Sequence, residues 1–215
     1  MSDFRRLTFL DQLCLGVDQA LRAVSGQAKT TGRSYPACLE KEADLTLDER
    51  KHIAGLMRVN HAGEVSAQGL YHGQGLVSRR ESVKEKMQQA AIEEGDHLAW
   101  CQARLTELGS HTSYLNPFWY AGSFVIGLAA GIVGDKWSLG FLAETEMQVV
   151  HHLESHLCTL PIDDQRSRKI LQQMREDEAT HRDEALDAGA AELPGVIKTF
   201  MRFTSKCMVK TAYWV

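Results

Sequence analysis

The sequence predicts an all-α protein built on a four-helix bundle, with an apolar crossover and extra helices at its N- and C-terminal ends. Three observations predict it. The 215 residues contain only four prolines. Apolar residues recur in steps of three and four, with no period-two alternation that would mark strands. The pair Glu-x-x-His is embedded in two of those helical runs, as Glu94 with His97 and as Glu178 with His181.

The elements follow in order. Leu10, Leu13, Val17, Leu21 and Val24 form a stripe on a short first helix, and the Gly- and Thr-rich stretch GQAKTTGRSYPACLEKEAD after it reads as a loop. Residues 1–45 are thus an N-terminal helix and loop, and residues 46–215 the bundle domain. Thr46 and Glu49 make a capping box that opens a long helix over Leu47 to Val77. Its glycines Gly63, Gly69, Gly73 and Gly75 weaken it but let neighbours approach closely. A second helix covers Glu81 to Leu108. A third runs from Trp137 to Leu160 and is stopped by Pro161, and a fourth spans Asp164 to Ala191. Pro194-Gly195 precedes a final helix.

Composition excludes several classes. A formal charge of −4 with no basic run argues against nucleic acid as a partner. Five cysteines without Cys-x-x-Cys indicate free thiols in a reducing compartment, neither a disulfide framework nor a zinc site. At the N-terminus, FRRLTFLDQLCLGVDQ interrupts its apolar residues with charge, unlike a signal peptide.

The polar residues on core faces carry the chemistry. Residues three apart on a helix lie about 60° apart around the axis and about 4.5 Å along it, so one ion can be held by both. In the second long helix Val83, Met87, Ala90, Glu94, His97, Cys101, Leu105 and Leu108 share the inward stripe. Glu93 falls with Lys86, Gln89 and Asp96 on a face expected to be solvated. Leu171, Met174, Glu178, His181, Ala185 and Ala188 repeat the inward pattern, with Glu176, Lys169, Gln173 and Asp183 outside. Glu146 interrupts the stripe Leu139, Leu142, Val149, Leu153, Leu157 and Leu160, whereas Glu144 shares a face with Gln148, His151 and Ser155. Glu64 lies on the face of Ile53, Met57 and Tyr71. The chain therefore writes Glu…Glu-x-x-His twice. Four carboxylates on core faces are costly without positive charge between them, and these stripes contain no Lys or Arg. Two divalent metals would offset them. One Glu from each of two helices and one Glu-x-x-His from each of two others is the ferritin-like di-iron or di-manganese pattern. His151, His152 and His156 are expected to form a solvated cluster, and His61 to be either an outer partner of Glu64 or a polar residue of the helix surface.

RVNHAGE, EEGDH, the segment from Glu146 to the following His-His, and DEATH together resemble the di-iron demethoxyubiquinone hydroxylase family of ubiquinone biosynthesis (2-polyprenyl-3-methyl-6-methoxy-1,4-benzoquinol monooxygenase). The resemblance runs from about Leu47 to the C-terminus. By motif match it implies Glu64, Glu94, His97, Glu146, Glu178 and His181 as ligands of two iron ions. The sequence AETEMQVVHH departs from the mitochondrial members, which carry two adjacent glutamates there; helix phase selects Glu146 over Glu144. By analogy with related bundles Glu94 and Glu178 bridge, while Glu64 and Glu146 bind terminally. The implied activity is hydroxylation of a polyprenyl quinol ring with O₂ and an external, unspecified reductant. Other ubiquinone-biosynthesis proteins and a second copy of the chain are the further partners the resemblance admits. Rivals are an iron-storage or peroxide-scavenging protein, a tRNA-modifying di-iron hydroxylase, and a non-enzymatic membrane adaptor.

Leu115 to Gly134 contains no charge and is long enough to cross a bilayer. A span there would place the Glu94 and Glu146 helices on opposite sides of the membrane, so the segment is expected to be the bundle's long crossover. Phe118, Trp119, Tyr120, Phe124 and Ile126 in it predict a surface lying in the lipid interface or a greasy lid over the prenyl tail, against a plain buried core segment. Lys198, Arg202, Lys206 and Lys210 with Tyr213 and Trp214 at the C-terminus add a basic face suited to anionic lipid. The expected location is the cytoplasmic face of the bacterial inner membrane, held peripherally.

Overall fold

The computed structural model describes residues 8–215, and among them the chain is entirely helical. The elements are α1 (Phe9–Val24), α2 (Leu47–Val77), α3 (Glu81–Glu107), α4 (Asn116–Val133), α5 (Asp135–Thr159), α6 (Gln165–Asp187) and α7 (Gly195–Ala212). The capping box at Thr46 forms: its hydroxyl accepts from Glu49 N at 3.2 Å and Glu49 Oε2 accepts from Thr46 N at 2.9 Å. Short connections fold α3 back on α2 and α6 back on α5, and α3 meets α6 to close a ferritin-like bundle. Apolar clusters lie toward each end of the bundle, one around Ile53, Met57, Leu105 and Leu171, the other around Tyr71, Met87, Leu139 and Ala185.

α4 is the crossover between the two helix pairs. It lies directly on α2, because a Cβ at Gly69 would sit 2.4 Å from the Tyr120 carbonyl oxygen and one at Gly73 would sit 2.3 Å from that of Phe124. Any side chain there would push the two backbones apart. Of the described helices, α4 alone is long and apolar enough to cross a membrane by length and composition, and most of it is not buried.

The outer helices differ in how far they are covered. On α1, Leu10, Val17 and Leu21 are exposed, and Ala20, Ala23 and Val24 near its end pack against the bundle. The Leu13 side chain lies outside the described residues. Tyr120 faces inward, with its hydroxyl 2.8 Å from His72 Nδ1. Tyr213 does the same at the C-terminus, its hydroxyl 2.8 Å from His52 Nδ1 and its ring filling the space above Gly55. Trp214 beside it is exposed as expected. All five cysteines are free thiols, and only Cys101 is buried.

Candidate metal centre

The six inward side chains selected by helix phase converge between α2, α3, α5 and α6, all of them buried. Their donor atoms form two overlapping groups. Glu64, Glu94, His97 and Glu178 make one, and Glu94, Glu146, Glu178 and His181 the other, with the atoms of each group within 4.8 Å of one another. Glu94 and Glu178 belong to both. Glu94 directs Oε2 to His97 Nδ1 at 2.8 Å and Oε1 to His181 Nδ1 at 3.1 Å. Glu178 directs Oε1 to His97 Nδ1 at 3.2 Å and Oε2 to His181 Nδ1 at 3.4 Å. Of the two histidines Glu64 approaches His97, at 3.9 Å, and Glu146 accepts a hydrogen bond from the Tyr71 hydroxyl.

The second nitrogen of each imidazole meets a further carboxylate. His97 Nε2 lies 2.8 Å from Asp177 Oδ2, and His181 Nε2 lies 2.7 Å from Glu93 Oε2. The acid immediately before each Glu-x-x-His therefore serves the histidine of the other motif. A carboxylate on the far nitrogen fixes the ring's tautomer and turns Nδ1 toward the cluster.

Acidic and imidazole groups crowd this buried space. Both oxygens of Glu94 and Nδ1 of His97 are buried and lack a partner in hydrogen-bond geometry. Burial, reinforced by the charge on Glu94, holds the Glu64 carboxyl well above its ordinary pKa, and burial with Glu178 does the same to Glu146. Burial opposes ionisation of Glu94 too, but His97 and His181 outweigh it and hold that carboxyl low. Both histidines are raised despite burial, His97 chiefly by the charge on Glu94 and His181 by the carboxylates of Glu178, Glu93 and Glu94. The donor set fits a metal pair: four carboxylates match the charge of two divalent ions, histidines that direct Nδ1 inward bind neutral, and an oxygen-rich set with some nitrogen suits iron or manganese.

A cavity of about 350 Å³ leads from Glu64, Glu146 and Glu178 outward between α2, α4, α5 and α7. Gly63 keeps its inner end open, since nothing lies within 4 Å of where a Cβ would stand. Ile126, Phe141 and Met208 make its walls apolar, and Phe118 at the mouth is largely exposed.

Several polar residues lie elsewhere than their helix phase predicted. Glu144 is buried, not at a polar surface: Gln148 Nε2 donates to it at 2.8 Å and Lys198 Nζ reaches it at 3.7 Å from α7, away from the cluster. Asp96 is buried and Glu93 half-buried, although their face was expected to be solvated, because the segment before α2 crosses it and His181 reaches across to Glu93. His152 lines the cavity and packs against His156 at 3.9 Å between ring centroids, so only His151 of that cluster is solvated. Burial lowers His152 to about 4 and His156 to about 3. His61 is fully buried and lowered by burial to about 4, its Nδ1 3.4 Å from Asn116 Nδ2. Glu176 is exposed as predicted.

Periodicity put Tyr71 on the face of Glu64 without giving it a role, put Glu93 on a solvated face, and left Asp177 unassigned. The acid preceding each Glu-x-x-His, in EEGDH and DEATH, was the available signal.

The family model described as ubiquinone biosynthesis protein COQ7 matches residues 51–212. A 3-demethoxyubiquinol 3-hydroxylase of Nitrosococcus oceani is 56% identical over 211 residues, covering 98% of this chain and 99% of that protein. Proteins of the same name from Acinetobacter baumannii (56% over 211 residues, 98% of this chain and all of theirs) and Polynucleobacter necessarius (55% over 204 residues, 95% and 98%) are similarly close. The chain belongs to the COQ7 family.

Proposed function

We propose that this COQ7-family chain is a di-iron monooxygenase in which Glu64, Glu94, His97, Glu146, Glu178 and His181 hold two iron ions. It is a hydroxylase of ubiquinone biosynthesis, as its near full-length relatives are by name, and it acts on the ring of a quinol. The carrying observation is the convergence of four buried glutamates and two histidines at the inner end of an apolar cavity. Iron bound there would supply the activation of O₂ that ring hydroxylation requires, with electrons from an external reductant.

The protein's own residues supply geometry and exclusion of water. Glu94 and Glu178, each turning one oxygen to either histidine, would be shared by both ions, and Glu64 and Glu146, each in one group only, would each serve one. Tyr71 orients Glu146 through its hydroxyl. The cavity receives the ring against Glu64 and Glu146, and its apolar walls suit a polyprenyl methoxy-benzoquinol whose tail leaves past Phe118.

That exit supports a peripheral place on the membrane. Phe118 on α4 and Phe200 and Phe203 on α7 are exposed, and so are Arg202, Lys206 and Lys210 on α7. Aromatic rings beside cations favour an anionic lipid interface, here that of the cytoplasmic face of a bacterial inner membrane. Flotation with anionic vesicles tests this, and binding unchanged by F118D with F203D would remove it. The activity is tested by incubating iron-loaded, reduced protein with a short-tailed methoxy-benzoquinol and O₂. A hydroxylated ring is expected, and an unaltered quinol in the presence of bound iron would contradict the proposal.

A further inference from the structure

All six inward residues fall within residues 51–212, yet one of the carboxylates that orients them is held from outside that range. Arg33 lies in the segment between α1 and α2. Its Nε is 2.9 Å from Asp96 Oδ2 and its Nη1 2.7 Å from Asp177 Oδ2. The guanidinium also lies 4.8 Å from the centre of the Trp100 ring, and Trp100 packs on His97 at 5.3 Å between centroids. The segment is seated independently of this side chain. Thr31 N and Gly32 N donate to Asp96 at 3.1 and 3.3 Å, and the Thr31 hydroxyl donates to it as well. Gly95 allows the contact, for a Cβ there would stand 1.8 Å from the Lys29 carbonyl oxygen.

The two histidines are braced unequally as a result. Asp177, which receives His97 Nε2, is held by Arg33 and by Gln173 at 3.0 Å. Glu93, which receives His181 Nε2, has Gln89 at 2.6 Å and no lysine or arginine within 4 Å among the described residues. Its side chain is 31% exposed against 16% for Asp177. A guanidinium spans two carboxylates in a fixed plane, which a lysine ammonium cannot reproduce.

We propose that Arg33 is a positioning residue for one of the two metals. By fixing Asp177 it sets the orientation of His97, so that the Glu64–Glu94–His97–Glu178 position is the tighter of the pair. This rests on the di-iron reading above. If Arg33 merely fastened the segment to α3, its arm to Asp177 would add nothing that Thr31 and Gly32 do not already provide.

The test is anaerobic titration of the metal-free, full-length protein with Fe(II) against a chromogenic chelator. Wild type should take up two ions in unequal steps. R33Q should weaken the tighter step by about 10–100-fold, the usual effect of losing an outer partner of a ligand, and leave the weaker step unchanged. R33K should restore part of the loss. T31V, which removes a contact of the same segment without touching Asp177, should leave both steps as in wild type. If R33Q does not fold, D177N, which keeps the Arg33–Asp96 pair, carries the same expectation. Two wild-type steps in R33Q (or, should R33Q not fold, in D177N), or an equal loss in T31V, would overturn the proposal alone. A wild-type protein that takes up no iron would overturn the di-iron reading and the proposal together.

Discussion

His97 and His181 stand at equivalent places in two Glu-x-x-His turns, each with Nδ1 on the shared glutamates and Nε2 on a carboxylate from the opposite helix. Around them the halves diverge. The His97 half is roofed by Trp100 and the segment through Arg33, while the His181 half has the half-exposed Glu93 outside and the Tyr71 hydroxyl on Glu146 inside. The duplicated pattern thus sets which atoms meet, and non-repeated residues decide how firmly each half is held.

The largest effect should come from removing what the halves share. Glu178→Ala deletes a carboxylate common to both groups, so hydroxylation should be abolished and iron content should fall toward zero by metal analysis. Wild-type turnover in this variant would break the comparison at its root. Glu64→Ala and Glu146→Ala should each lower content less, because each residue belongs to one group.

Tyr71→Phe acts on one half only. It leaves the buried Glu146 carboxylate without its hydroxyl donor, a loss of about 1–3 kcal/mol. Turnover should drop while iron uptake at the His97 half persists, as read by the Fe(II) titration. A uniform loss at both steps would show the halves to be less independent than their contacts imply.

Glu93→Gln should weaken iron binding less than Asp177→Asn, since Glu93 is more exposed and less restrained. The reverse order would invert the comparison. Glu176→Ala, on the exposed face of α6, should leave both iron content and turnover unchanged.

A different histidine pair sharpens the contrast by its pH response. His152 and His156 are kept neutral by burial, with His52 and each other the nearby titrating groups. The unfolded chain takes up a proton on each near its ordinary value of 6.5, whereas the folded chain resists until about 4 and about 3. Their contribution is therefore fully present above pH ~6.5 and is lost progressively as pH falls toward the folded values. For His156 this is on the order of 3 kcal/mol between pH ~6.5 and ~4. Urea midpoints should fall across that window in wild type and fall less steeply in His156→Gln. Parallel slopes would contradict the neutral, buried state.

What the sequence disclosed depended on whether one helix could report it. Glu64, Glu94, His97, Glu146, Glu178 and His181 each sit in phase with an apolar stripe on their own helix, so local periodicity was sufficient. The same phase argument mistook Asp96, because the cover over Asp96 comes from residues 29–33 crossing α3, a tertiary path that no helical period records. Glu144 and the His152–His156 pair were misplaced for the same kind of reason, since the polar face of α5 is partly covered by later elements, with Lys198 of α7 reaching Glu144. On α1 the period is helical as read, yet Leu10, Val17 and Leu21 are exposed while Ala20, Ala23 and Val24 near its end pack against the bundle. Amphipathic pattern reports a helix and its apolar side, and does not report whether a partner is present on that side.

Glu94 and Glu178 are proposed to join two iron positions into a single centre. Mössbauer spectroscopy of protein loaded with enriched iron, combined with metal analysis, tests it most directly. Two irons per chain, magnetically coupled in the oxidised state, are the predicted result. One iron per chain, or two that behave as isolated high-spin ions, would contradict it.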